Sequence, residues 1–423
     1  MSEARSRLPK TIVQKFGGSS LSSPELREIA ASRVLEARQR GAAPVVVCSA
    51  LGRAPEPYAT DSLLGLLGPS RNGPNRDLLL SCGEAIACAV FAELLTSWGA
   101  DAQAMTGAQA GIVTSGDFGD AKILRVDPAN LVAVLERGAI PVVAGFQGVS
   151  ESGAITTLGR GGSDLTAIAL GEALGSEAVE IFTDVSGVMT GDPRRIVGAH
   201  TIDRVSYGEM VELAADGAKV VHAKAAEHAR LTNTPYLVKG LRSNFGTAID
   251  EGHAPDKLHP VSGITALTDA TFFRIIQGDI DEPAERARLE RELFRRLAER
   301  GVSVDMINVN NAGVFFITDS DQVDTVRAEL GDLNLAVRVR AHCAKLSIVG
   351  AGMRGTPGVM YRVVAALIDA GVEIIHSTDS NITISVLVPE EDAVRAEQAI
   401  HDSFRLGRRR DATLPEMSAG GTR

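Results

Sequence analysis

Five short apolar runs punctuate the first half of the chain: Thr11–Gln14, Pro44–Cys48, Ala102–Thr106, Ala139–Val143 and Val179–Phe182. They are too short for stable helices, and turn-forming residues bound them, so they predict strands. Between them, Pro24–Arg40, Leu78–Glu93, Pro128–Arg137 and Leu165–Leu174 space their apolar residues at helical period. Glu209–Arg230 reads as an Ala-rich helical region interrupted near Gly217. Strands alternating with helices across residues 11–249 predict an α/β domain, a mainly parallel sheet covered on both faces.

The pattern changes after that. Residues 250–262, with Gly252, Pro255 and Pro260, predict a linker, and one strand–helix order is then written twice. The first copy, 263–341, holds strand Phe272–Ile276, helix Glu285–Arg300, strands Val302–Ile307 and Ala312–Ile317, helix Asp321–Leu330 and strand Leu335–Val339. The second, 342–405, runs Ala344–Val349, Gly358–Ala370, Val372–His376, Ile382–Val388 and Asp392–Phe404. Residues 1–10 and 406–423 are charged or small and lack apolar residues in quantity, so both ends predict flexible tails.

Gly350-Ala351-Gly352-Met353-Arg354-Gly355, with Asp379 beyond it, has the outline of a dinucleotide fingerprint. The short Thr-Asp-Ser-Asn connection after His376 predicts a hairpin instead of a parallel crossover. The fingerprint is therefore set aside.

Candidate chemistry gathers at glycine-rich strand ends. In Thr156-Thr157-Leu158-Gly159-Arg160-Gly161-Gly162-Ser163-Asp164, the glycines let backbone N–H groups approach a ligand. Arg160, Ser163 and Asp164 supply a cation, a hydroxyl and a carboxylate, and the helix behind them points its dipole at the same place. Lys15 with Gly17, Gly18 and Ser19 forms a second strand–loop–helix phosphate outline without a Walker pattern. Ser49 ends another strand, and Glu84 is either a solvated carboxylate or the partner of an ammonium group. Thr183, Asp184, Asp192 and Arg194 form a turn-rich charged cluster after Phe182, at the strand end where an open sheet binds ligands.

Composition narrows the classes. A chain of 423 residues with 44% hydrophobic and 23% charged residues is globular, with room for two or three domains. A net charge of -10 gives no footprint for nucleic acid or an anionic membrane. No apolar run reads as approaching the roughly 20 residues that span a bilayer, so a cytoplasmic location is expected. Cys48, Cys82, Cys88 and Cys343 lack metal spacing and read as buried free thiols.

Together VQKFGGSS, SCGE, TTLGRGGSD, IFTDVSGVMTGDPR and EMVELAADGAKVVH resemble, in order and spacing, the aspartate kinases of the amino-acid kinase superfamily. PYATDSLLGLL and STDSNITISVLV look closest to the bacterial monofunctional form that responds to diaminopimelate. The resemblance implies an amino-acid kinase fold followed by two ferredoxin-like βαββαβ ACT modules. It implies phosphorylation of the β-carboxylate of L-aspartate by ATP with Mg²⁺, giving 4-phospho-L-aspartate at the head of the aspartate pathway.

By that resemblance Lys15 and Lys219 neutralise the transferring phosphoryl group, Gly17, Gly18 and Ser19 cradle phosphate, and Asp164 orients the lysines. Ser49, Thr60, Glu84, Arg160 and Ser163 hold aspartate, with Glu84 on its α-amino group and Arg160 on a carboxylate. Thr183, Asp184, Asp192 and Arg194 line the nucleotide side. Asp305, Met306 and Asn308 of the first ACT module, and Ile374, Ile375, His376 and Ser377 of the second, take a small amino-acid effector. A homodimer or larger homo-oligomer through the ACT modules is implied, and no side chain is assigned to a metal. Where such kinases carry proline after the histidine, this chain has Ala223 and Lys224, which leaves the helix free to run on through this point. The motifs recognise generic amino and carboxylate groups, so a different carboxylate acceptor, or a non-catalytic amino-acid sensor, stays open.

Overall fold

The computed structural model describes residues 10–407 except 69–70, 219, 253–255, 277–281, 332 and 334–335. The chain forms two compact units, one from residues up to Val188 with Thr201–Asp256, the other from Met189–His200 with Lys257 onward. The expected tail 1–10, apart from Lys10, and most of the tail 406–423 lie outside the described residues.

In chain order the first unit contains β1 (Thr11–Phe16), α1 (Pro24–Gln39), β2 (Ala43–Cys48), α2 (Thr60–Gly65), α3 (Pro74–Ser97) and β3 (Ala102–Met105). Next come β4 (Ile112–Thr114), β5 (Ile123–Val126), α4 (Ala129–Glu136), β6 (Ile140–Ala144), β7 (Gln147–Ser150), β8 (Ile155–Thr157) and α5 (Gly162–Leu174). β9 (Ala178–Thr183), β10 (Arg204–Val205), α6 (Tyr207–Ala215), α7 (Ala223–Thr232), β11 (Tyr236–Gly240) and β12 (Gly246–Ile249) complete it. Among the described residues the main sheet has eight strands in the order β10-β12-β11-β9-β1-β2-β6-β3, antiparallel only between β11 and β12. Every residue of β2 and β6 is buried, as a sheet covered on both faces requires. A smaller sheet, β5-β4-β7-β8, ends at the glycine-rich turn before α5.

The structure corrects two expectations. Helix α3 runs 24 residues with mean hydropathy 1.9 over its most apolar window, long and apolar enough by length and composition to cross a membrane. Here it is a core helix: Ala87, Cys88, Phe91 and Leu95 pack against Phe16, Val46 and Phe182, and Asp77 and Glu84 are buried on it. Cys48, Cys88 and Cys343 are buried free thiols, but Cys82 is exposed.

The second unit contains β13 (Gly263–Ile276), α8 (Pro283–Glu299), β14 (Asp305–Asn310), β15 (Gly313–Asp319), α9 (Val323–Leu330), β16 (Ala336–Val349), α10 (Val359–Asp369), β17 (His376–Asp379), β18 (Thr383–Pro389) and α11 (Ala393–Ser403). Among the described residues all six strands join one sheet in the order β14-β15-β13-β16-β18-β17. Two expected strands, 335–339 and 344–349, fall in one continuous β16 from Ala336 on, residue 335 lying outside the described residues. The first half of β13, Gly263–Leu267, pairs with Lys345–Val349, and its second half, from Phe272, pairs with Ala336–Arg340. The two βαββαβ copies are therefore spliced, and residues 263–267 serve the second copy. The second copy's first hairpin strand begins at His376, not Val372, and β17 pairs antiparallel with β18, as the hairpin reading requires.

The proposed boundaries shift at both ends of this unit. Val261, placed in the linker, and Leu406, placed in the tail, are buried in the core with Val363, Leu367 and Ile400.

Candidate active site

β1, β2 and β9 run parallel with Phe16 beside Cys48 on one flank and Phe182 on the other. Their C-terminal ends therefore open at one edge, and the chain leaves that edge three times: at Gly17–Ser19, at Ser49–Ala50 and at Thr183–Asp184. Backbone bonds weld these exits together, with Ser49 N–H donating to Phe16 O at 3.1 Å and Gly52 N–H to Gly18 O at 3.0 Å. Gly18 is required by this approach, since a Cβ there would lie 2.6 Å from both Ala50 O and Gly52 O.

Lys15, at the end of β1, reaches Asp164 in the first turn of α5, Nζ to Oδ1 2.6 Å, with both side chains about nine-tenths buried. A cation held this way has its position set by a carboxylate, as a phosphate-neutralising lysine needs. Gly161 makes the turn possible: its φ is +75°, and a Cβ would lie 2.1 Å from His222 Cβ. His222 N–H points at Asp164 Oδ2 at 3.4 Å, so the segment before α7 closes over the same carboxylate. Burial, then the Lys224 cation, lowers the His222 pKa. The neutral ring accepts from Lys224 N–H through Nδ1 at 3.3 Å and caps α7. The helix therefore starts at Ala223 despite the missing proline and does not run on.

Glu84 is 2% exposed on α3. Its Oε1 accepts from Ala50 N–H at 3.1 Å, while Oε2 has no partner among the described residues. Burial, only partly offset by the Ala50 and Glu84 N–H groups, pushes its pKa up to about 8. A buried carboxyl with an open oxygen is poised for an incoming cation. Thr60 starts α2, which packs on α3 beside Gly83.

The structure thus brings Lys15, Gly17, Gly18, Ser49, Glu84, Ser163, Asp164 and Thr183 to one sheet edge. Asp184 sits there too, paired with exposed Arg53 at 3.2 Å. Arg160 is exposed at the tip of the turn between Gly159 and Gly161. Lys219 lies outside the described residues. Asp192 and Arg194 belong to the segment Met189–His200 of the second unit. There Arg194 Nη2 holds Asp192 Oδ2 at 2.7 Å, and this bond keeps Asp192 below the usual carboxylate range.

Of the effector candidates, Met306, Ile375 and His376 meet around Phe272 and Phe315, with His376 Nε2 3.2 Å from Met306 O. Asp305 is taken up by buried Lys345, 2.7 Å away. Ser377 lines a separate cavity of about 480 Å³ with Met353, Arg354, Thr378 and Asp379. Ile374 packs into the helix-covered core, and Asn308 bonds with Asn310.

Sequence reasoning missed Asp77, fully buried seven residues before Glu84 and so on the same face of α3. An acid directly before an apolar helical run, seven residues ahead of Glu84, was the available signal. It also missed the pairing of Lys224 with Asp120, two residues far apart in the chain.

Residues 10–240 match the amino acid kinase family, and residues 346–404 match an ACT domain. The chain is 40% identical over 410 residues to aspartokinase 1 of Bacillus subtilis, covering 94% of this chain and 100% of that one. It is 38% identical over 422 residues to the aspartokinase of Corynebacterium efficiens, covering 95% and 98%. Among solved structures, E. coli aspartokinase III in complex with aspartate and ADP matches with a TM-score of 0.74 at 26% identity, covering 93% of this chain and 99% of that one. Sequence, fold and the lysine–carboxylate pair at the sheet edge agree: the chain belongs to the amino acid kinase family and, within it, to the aspartokinases.

Proposed function

We propose that this chain transfers the γ-phosphoryl group of MgATP to the β-carboxylate of L-aspartate, giving 4-phospho-L-aspartate. The observation that carries this reading is the buried Lys15–Asp164 pair on the glycine-lined edge, facing the same loops as Glu84 with its open oxygen. The acceptor carboxylate is already ionised at pH 7, so no base is needed. The work left to the protein is to hold two anions in line and to spread the negative charge of the transferring group. Lys15 faces that group, with N–H groups of Gly17–Ser19 beside it. Glu84 takes the α-ammonium of aspartate, and Arg160 takes its α-carboxylate through a two-pronged contact. Ser49, Thr60 and Ser163 complete the acceptor side. Lys219 joins Lys15, and Thr183, Asp184, Asp192 and Arg194 serve the nucleotide.

The reading extends to regulation. A small amino acid of the pathway, with diaminopimelate first, binds the ACT modules near Met306, His376 and Ser377, in a cytoplasmic homo-oligomer. E. coli aspartokinase III has been solved with lysine and aspartate in a T-state, which supports an amino-acid effector for this family. Incubation with MgATP and aspartate, trapping the acyl phosphate as hydroxamate, tests the reaction. Hydroxamate from aspartate, lowered by diaminopimelate, is the expected result; none from folded protein would move the assignment to another acceptor or to a sensor.

A further inference from the structure

We propose that Asp77 is a positioning residue for the acceptor clamp, a role that rests on Arg160 holding the α-carboxylate of aspartate. Asp77 is fully buried in the first turn of α3. A carboxylate in that setting is costly unless hydrogen bonds or helix N–H groups compensate it. Its Oδ2 accepts from two backbone N–H groups on different loops, Thr157 at 2.7 Å and Gly119 at 3.0 Å. Its Oδ1 has no partner among the described residues.

Both loops lead to Arg160. Thr157 is the last residue of β8, three residues before it. Gly119 sits against the turn itself, since a Cβ on Gly159 would lie 3.1 Å from Gly119 O and closer still to Asp120 Oδ1. Arg160 is thus flanked by Gly159 at φ +73° and Gly161 at φ +75°, and the turn is closed by Gly162 N–H on Gly159 O at 3.0 Å. Next to Thr157, Leu158 N–H is fixed on Phe146 O at 2.8 Å. Besides the backbone bond from Ala121 N–H to Thr157 O at 2.9 Å, this one carboxylate oxygen joins the two loops, and it helps set where the turn stands and, through it, where the guanidinium starts. Asp77 also shares a helix face with Glu84, so α3 carries the ammonium site and the anchor of the carboxylate clamp on one rigid rod.

The test is steady-state kinetics of Asp77→Asn, Arg160→Ala and the double variant. Asn keeps an oxygen for the two N–H groups but loses the charge that strengthens them. The KM for aspartate is expected to rise about tenfold in Asp77→Asn, with kcat changed less than about threefold and the KM for ATP within about twofold. On an Arg160→Ala background, Asp77→Asn is expected to add less than about twofold. Fully additive effects, equal shifts in both KM values, or an unchanged KM for aspartate in Asp77→Asn would overturn the proposal. An unchanged KM for aspartate in Arg160→Ala would overturn the clamp itself, and the proposal with it. If Asp77→Asn does not yield folded protein, Asp77→Ser, which keeps a short acceptor, is measured in its place. Failure of both to fold assigns Asp77 to the core and also overturns the proposal.

Discussion

Lys15 Nζ and Asp164 Oδ1 stand 2.6 Å apart, the lysine from the end of a central strand and the aspartate from the first turn of a helix 149 residues later. Each charge is sheltered from water, and each is the other's main compensation. Removing one leaves the other buried without a counter-charge, at a cost of about 3–5 kcal/mol.

The first prediction concerns turnover. Lys15→Ala is expected to lower hydroxamate formation by about a thousandfold, since one well-placed donor at the transition state contributes roughly 3–4 kcal/mol. Diaminopimelate binding, followed calorimetrically, should survive the change. Residual activity within tenfold of the wild type would remove Lys15 from the phosphate site.

Glu84 gives a pH signature. With its pKa pushed up to about 8 by burial, the free protein holds this carboxyl neutral at pH 7, whereas an α-ammonium needs it ionised. The KM for aspartate is therefore expected to fall as pH rises from 6.5 to 8.5. Glu84→Gln should raise that KM by more than about tenfold, as loss of a charge-assisted bond implies, and flatten its pH dependence.

The same group affects stability with a definite sign. Its folded pKa lies above the ordinary 4.5, so the folded state keeps a proton that the unfolded chain loses. Stability from this group is complete below pH 4.5 and is lost as pH rises through about 8. Thermal melts of Glu84→Gln against the wild type should differ little at pH 5 and favour the variant at pH 9.

Gly161→Ala is expected to cost both stability and activity. The substitution forces a side chain into a left-handed conformation and against the carbon skeleton of His222. Circular dichroism melts should show a clear loss, with turnover at least tenfold down in the fraction that folds.

In the second unit, Arg195 Nη2 lies 2.6 Å from Glu397 Oε2, a carboxylate only 1% exposed. Thr190 Oγ1 and His401 Nε2, 3.0 Å apart, pin the same segment to α11. Burial outweighs the arginine and pushes Glu397 up to about 7. Arg195→Ala is expected to lower the melting temperature by several degrees.

The α/β sheet and the glycine turns were legible because each strand is a buried apolar run and each turn carries its own chemistry. Lys15, Glu84, Arg160 and Asp164 stood out as charges at strand ends or in apolar helices. The short strands β4, β7 and β8 have little periodicity of their own and were not foreseen. Asp77 and the Lys224–Asp120 pair were hidden for a different reason: their meaning lies in contacts between residues 42 to 104 positions apart. Met189–His200 reads as part of the first unit because it follows β9 directly. Only tertiary contacts assign it to the second.

The spliced sheet of the second unit bears on how this half of the protein can be divided. Because Gly263–Leu267 and Lys345–Val349 lie side by side while Phe272 onward serves the other copy, no single cut separates two whole modules. A fragment beginning at residue 342 lacks one of its own strands and exposes the edge of β16. A protease that nicks between the copies would leave two pieces still stitched together by backbone ladders. The repeat is thus double in its pattern but indivisible as an object, and any exchange of this half has to take both copies at once.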